Sequence, residues 1–174
     1  NDCQAGLGLD ALRSSHPIEV PVKSPTEISQ IFDSISYSKG ASIIRMLVGW
    51  LGEETFKRGI QSYLKKFKLS NARTEDLWTS LSEASGKPVN EMMGGWTKHI
   101  GYPVIDVKSV ADGKIEVTQR RFLSSGDVAK EEDQLVWTVP LFPENESNNV
   151  ALTDKTTQIQ SKALKLNCGQ HGFF

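Results

Sequence analysis

The sequence predicts an α+β protein in two parts, helical over residues 1–101 and built of antiparallel strands over residues 102–174. Three observations carry this expectation. Apolar residues recur at helical spacing as far as Ile100. After Pro103 the apolar period drops to two, the signature of half-buried strands. Between the two regimes lies Gly101-Tyr102-Pro103, a sequence that stops a helix and cannot continue it.

The first 24 residues read as irregular. "SSHPIEVPVKSP" carries Pro17, Pro21 and Pro25, and each biases its predecessor toward extended backbone. Ser24 then reads as an N-cap with Pro25 at the first helical position, opening a short helix over about 25–33. A second helix is expected from about Ser36 to Leu51. Its apolar residues Ile43, Ile44, Met46, Leu47, Val48, Trp50 and Leu51 cover most of its circumference, as a buried helix requires. Gly52 ends it.

A third helix, about 53–68, shows one narrow stripe of Phe56, Ile60, Tyr63, Leu64 and Phe67, with Glu53-Glu54 at its positive end. It reads as a surface helix. Thr74 reads as the cap of a fourth helix, which Gly86 stops. A fifth, about 89–99, presents Val89, Met92, Met93 and Trp96.

Beyond Pro103, "VIDVKSV" and "KIEVTQRRFL" alternate around Asp112-Gly113, a strong hairpin signal. "LVWTVPLF", "NNVALT" and "ALKLNC" continue the pattern. Five or six short strands with no helix between them predict a small antiparallel sandwich. Pro140 and Pro143 belong at an edge or a bend. "SSGDVAKEEDQ" reads as a polar, mobile loop.

Composition excludes some classes of function. The 174 residues hold 20 Lys+Arg against 21 Asp+Glu, without a basic face for nucleic acid or for a helix-turn-helix contact. "KRGIQSYLKKFK" reads as a solvated helix face. No apolar run is long enough to span a bilayer. Cys3 and Cys168 fit neither a disulfide framework nor a zinc spacing, and read as free thiols in a reducing compartment. None of the three histidines, His16, His99 and His171, stands in a metal-binding pattern, and neighbours such as Ser14, Ser15 and His16 do not make a triad.

Tyr37, in "FDSISYSKGAS", is the candidate for chemistry. One turn on, its face carries Gly40 and Ala41, which have no bulk. A phenol beside such a notch can project into an open cleft. It can equally be a buried tyrosine bonded to a carbonyl with another helix in the notch, and residue chemistry alone favours that second reading.

"FDSISYSKGASIIRML" closely resembles a segment of the zinc aminopeptidases of the aminopeptidase N and puromycin-sensitive type, in the gluzincin group. "LDALRSSHPIEVPV" resembles the stretch preceding it in those enzymes. "EDLWTSLSEASGKPVNEMMGGWTKHIGYPVIDV" resembles the end of their thermolysin-like catalytic domain and the entry to the next, and "LKLNCGQHGFF" resembles the closing strand of that next domain, a β-sandwich. The cytosolic puromycin-sensitive branch is the nearest in character.

The resemblance implies a division into the helical part of a catalytic domain, 1–101, and a β-sandwich domain, 102–174. It implies that Tyr37 is catalytic, donating a hydrogen bond to the oxyanion formed when zinc-activated water attacks a peptide carbonyl. It implies zinc in the parent enzyme and peptide substrates. The family's zinc ligands and N-terminus-binding loop have no counterpart here, so the chain is expected to be a middle piece of a cytoplasmic enzyme. That piece should hold no zinc, be inactive alone, pack on absent upstream and downstream domains, and self-associate when excised. The competing expectation is a non-catalytic helical and β-sandwich interaction module. Nothing in the sequence assigns side-chain specificity.

Overall fold

A computed structural model describes residues 2–24, 32–144 and 150–174, with Asp2 described in its backbone alone. The chain begins with a helix, α1 (Asp2–Asp10), where the sequence reads as irregular. The residues "AGLGLD" hide it, because two glycines weaken the helical signal. One of them is there for packing. A Cβ on Gly6 would stand 2.9 Å from the backbone nitrogen of Lys39, so only glycine lets α1 lie against the next element. The short helix expected over 25–33 falls mainly on residues 25–31, outside the described residues, and Phe32 and Asp33 are not helical.

The long apolar helix opens with a π-helical turn, Ile35–Lys39, and continues as α2 (Gly40–Leu51). Ile43, Met46, Leu47, Trp50 and Leu51 are buried, as the pattern requires, while Ala41 and Arg45 face outward. Gly52, at φ 83°, lets the chain turn at once into α3 (Glu53–Lys66). Gly59 of α3 sits against Leu81, where a Cβ would come within 2.6 Å of that side chain. Leu81 belongs to α4 (Thr74–Ser85), and α5 (Val89–Thr97) follows. Thr74 is the first helical residue and not the cap. The free backbone N–H of Arg73 is met from inside the helix by Asp76 Oδ2 at 2.8 Å.

Gly101, at φ 85°, precedes the change of structure. β1 (Pro103–Ser109) and β2 (Lys114–Arg121) form the expected hairpin, paired from Pro103↔Arg121 to Ser109↔Ile115. Asp112 and Gly113 both take positive φ, and the Lys114 N–H closes the turn onto the Ala111 carbonyl. On the other edge of β2 lies β5 (Thr156–Gln160), giving the order β1-β2-β5. The run "TTQIQ" escapes sequence reading because Ile159 is its one large apolar residue. A second sheet pairs β3 (Val139–Leu141) with β4 (Val150–Leu152).

Two expected strands are shorter or absent. Leu135–Thr138 does not join a ladder, because the Trp137 backbone is bonded both ways by a side chain. Gln119 Oε1 accepts its N–H and Gln119 Nε2 donates to its carbonyl, each at 2.9 Å. "ALKLNC" runs beside Phe142 with a single parallel bridge, Phe142↔Asn167, then makes a 3-10 turn at Cys168–Gln170. Pro140 lies in the two-stranded sheet, where each strand is an edge. The loop after β2 is polar as expected, yet it is tied down. Arg13 donates to Ser125 Oγ, Asp127 Oδ1, the Asp127 carbonyl and both oxygens of Glu132.

The protein is thus α+β, with five α-helices and two small antiparallel sheets among the described residues. Helices and strands share one core. Trp96 of α5 is fully buried, donates its indole N–H to the Thr138 carbonyl at 2.9 Å, and packs on the rings of Trp137 and Phe173. Among the described residues no helix is long and apolar enough to cross a membrane.

Candidate active site

The candidate side chain stands on the π turn. The mark of that turn is the Gly40 N–H, which reaches back five residues to the Ile35 carbonyl and is shared with the Tyr37 carbonyl. Such wide turns insert an extra residue into a helix and recur at functional sites. Tyr37 and Lys39, two residues apart, lie on opposite faces of the turn. Tyr37 is 62% exposed and Lys39 is fully buried. The buried tyrosine that residue chemistry alone favours is therefore not found: the helix is buried, but this one ring stands outside the core. Phe32, equally exposed, stands 6.1 Å away between ring centroids. The notch is open too, since a Cβ on Gly40 would meet nothing within 4 Å and Ala41 is exposed.

Both ends of the turn are held by charge pairs. At the inner end, Lys39 Nζ lies 2.8 Å from Asp10 Oδ2, with neither side chain exposed. Lys39 also donates to the carbonyls of His99 at 3.0 Å and Gly101 at 3.4 Å. Asp10 Oδ1 accepts from the Gly101 N–H at 2.8 Å and from Ser15 Oγ at 3.1 Å. Burial lowers the Lys39 pKa below its ordinary value, and Asp10 pulls part of that shift back.

At the outer end, Asp33 acts as the cap. Its Oδ1 accepts the N–H groups of Ile35 at 2.9 Å and Ser36 at 3.0 Å, and its carbonyl accepts the Tyr37 N–H at 3.1 Å. Its other oxygen lies 2.6 Å from His16 Nε2, while His16 Nδ1 lies 2.8 Å from the Pro17 carbonyl. Both ring nitrogens thus face acceptors, an arrangement that fits the doubly protonated imidazolium. The His16 pKa is raised by the Pro17 carbonyl and then by Asp33. Asp33 is opposed by its partial burial, yet its pKa falls below the ordinary value because His16 and the Ser36 N–H stabilise the carboxylate.

The other residues weighed from sequence do not gather at this site. Ser15 faces Asp10 and His16 faces Asp33, so Ser14, Ser15 and His16 form no relay. The His99 side chain is exposed, and only its carbonyl takes part. His171 packs on Phe142, 5.2 Å between ring centroids. Neither Cys3 nor Cys168 is in a disulfide. Sequence reasoning missed Lys39, Asp10 and Asp33. Of these, only Asp33 had a readable signal, an Asp just ahead of a helix.

The residues present do not fit the zinc ion that the family resemblance implies. Among the described residues no three His, Cys, Asp or Glu side chains come together in a group able to hold a metal.

Residues 1–96 match the Peptidase family M1 domain. The chain is 49% identical to Aminopeptidase 2, mitochondrial, of Saccharomyces cerevisiae over 98% of its length, covering 19% of that protein. It is 48% identical to the Alanine/arginine aminopeptidase of the same yeast over its whole length, covering 21% of it. It is 42% identical to the Puromycin-sensitive aminopeptidase of Caenorhabditis elegans, again over its whole length and 20% of that protein. The chain therefore spans about a fifth of the length of the curated relatives it matches.

Proposed function

This chain belongs to peptidase family M1, and from that premise we propose that it forms one wall of the active site of an aminopeptidase, with Tyr37 as its catalytic side chain. The substrates are peptides with a free N-terminus. The observation that carries the reading is the exposed phenol of Tyr37, set on a π turn within the segment that matches the family.

The chemistry assigned to Tyr37 is electrostatic. As a nucleophile adds to a peptide carbonyl, the oxygen gains negative charge. A phenolic O–H already aimed at that oxygen donates its hydrogen bond more strongly in the transition state than in the ground state. Prepositioning is the costly part, and Ile35 and Lys39, buried on either side of Tyr37, fix the backbone from which the ring projects. The open notch at Gly40 and Ala41 leaves room for the substrate backbone beside the ring.

The family resemblance also implies zinc in the whole protein. The described residues do not form a ligand set for it. We propose accordingly that these 174 residues alone retain no stoichiometric zinc after dialysis and release no amine from an aminoacyl anilide. Turnover that survives purification and is lost with a chelator would overturn this. Residence in the cytoplasm rests on the resemblance to the puromycin-sensitive branch, and imaging of the tagged full-length protein tests it.

The direct test of Tyr37 is its replacement by phenylalanine in the full-length protein. That change removes the hydroxyl and keeps the ring. The expected result is a kcat lowered by about two to three orders of magnitude with KM little changed. A kcat near the parent value would reject the assignment.

A further inference from the structure

The π turn that carries Tyr37 is fixed unequally at its two ends. The inner end is locked by the Lys39–Asp10 pair, which no solvent reaches. The outer end is different. It depends on one carboxylate, Asp33, whose Oδ1 takes two successive backbone N–H groups of the turn and whose Oδ2 is held by His16. His16 sits on the extended segment after α1, not on the helix, and its second nitrogen is anchored by the Pro17 carbonyl. About a third of each of these two side chains meets solvent.

We infer that His16 is a positioning residue for Tyr37, holding Asp33 as the cap of the π turn and so fixing where the phenolic oxygen lies. His16 does not touch the reacting atoms. Its action runs from the imidazole to the Asp33 carboxylate, from there to the N–H groups of Ile35 and Ser36, and so to the turn whose next residue is Tyr37. A π turn is wider and intrinsically less favourable than an α turn. It persists where surrounding contacts hold it at both ends. Freed at its outer end, the turn can relax toward α geometry, which rotates every residue on it. A donor displaced by about 1 Å from its productive position loses much of its effect on the rate.

The inference rests on the reading of Tyr37 as the oxyanion donor, and the test separates the two. In the full-length protein, His16→Ala, His16→Gln and Asp33→Asn are each made alone and with Tyr37→Phe. Hydrolysis of an aminoacyl anilide is then followed. With Tyr37 present, His16→Ala and Asp33→Asn should each lower kcat about tenfold with KM held within about twofold. Glutamine places an amide N–H at a reach close to that of His16 Nε2, so His16→Gln should restore most of the rate. In the Tyr37→Phe background the same changes should cost nothing further, because the group they position is gone. A kcat at the parent value in His16→Ala and Asp33→Asn overturns the inference while leaving Tyr37 catalytic. An equal loss in both backgrounds also overturns it, since a merely structural role does not depend on the Tyr37 hydroxyl. If Tyr37→Phe itself leaves kcat unchanged, the reading of Tyr37 fails and this inference falls with it. Asp33→Asn keeps the oxygen that accepts the two N–H groups, so it supplies the answer if His16→Ala does not fold.

Discussion

Lys39 Nζ and Asp10 Oδ2 are 2.8 Å apart, and solvent reaches neither side chain. The pair joins α1 to the π turn, and the remaining valences go to the His99 and Gly101 carbonyls, the Gly101 N–H and Ser15. Removing one member of such a pair leaves the other charge buried. Lys39→Met should therefore cost about 3 to 5 kcal/mol in urea unfolding, as should Asp10→Leu. The double variant buries no charge at all and should cost clearly less than the sum of the two. Strict additivity would show that the two charges do not depend on each other.

Two glycines in one helix should respond to alanine with opposite signs. At Gly6 the new Cβ meets the Lys39 backbone, nitrogen at 2.9 Å and Cα at 3.2 Å, and backbone cannot swing aside. Gly6→Ala should cost about 1 to 3 kcal/mol by forcing α1 off the π turn. At Gly8 nothing lies within 4 Å, so Gly8→Ala gains helix propensity without a clash. It should stabilise by about 0.4 to 1 kcal/mol. Thermal unfolding of the two variants against the parent decides. A stable Gly6→Ala would mean that α1 is free to shift.

The loop after β2 owes its shape to Arg13. Glu132, which takes two of the Arg13 hydrogen bonds and the Ala129 N–H, has its pKa lowered to about 2, first by Arg13 and then by that N–H. A lowered carboxylate pKa contributes its stabilisation above the unfolded value and loses it as pH falls through the folded value. The tether should hold at pH 5 and fail progressively toward about pH 2. Arg13→Ala should speed hydrogen exchange at the Ala129 amide already at neutral pH, with α3 and α4 unaffected. Equal exchange in variant and parent would show that the loop holds itself.

What the sequence reveals and what it hides divide along physical lines. α2 to α5 and the β1–β2 hairpin are legible because local chemistry dictates them: an apolar stripe, a terminating glycine, an Asp-Gly turn with both residues at positive φ. α1 is not legible, because Gly6 serves a contact with Lys39 more than thirty residues away and weakens the local signal in doing so. The first half of "LVWTVPLF" alternates like a strand yet finds a side chain, Gln119, where a strand partner was expected. At the site, residue chemistry alone favours a buried Tyr37, and only the family resemblance opens its hydroxyl to a cleft. The geometry around it rests on a π turn, which leaves no mark in composition, and on two charge pairs whose members lie 29 and 17 positions apart. Such pairings are decided by packing.

The outer pair of the site gives a stability signature confined to a window of pH. The His16 pKa is raised above 6.5 by the Pro17 carbonyl and Asp33, with Asp10 adding a weaker pull in the same direction. A raised histidine pKa contributes stability that is fully present below the unfolded value, about 6.5, and is lost as pH rises through the folded one. The Asp33 pKa is lowered below 3.8, because His16 and the Ser36 and Ile35 N–H groups outweigh its partial burial. Its contribution is present above the unfolded value, about 3.9, and is lost as pH falls through the folded one. The pair therefore stabilises most between about pH 4 and 6.5, with a fall on either side. Because a third of each side chain is exposed, solvent screening keeps the height of this plateau to about 1 kcal/mol or less. The check is the difference in unfolding free energy between the parent and His16→Gln from pH 3 to 9. Glutamine has no titration of its own in that range, so the alkaline limb of the difference belongs to His16. A difference that stays flat across pH 6 to 9 would mean that the imidazole carries no proton lost on unfolding, and that Asp33 is capped without the help of a charge.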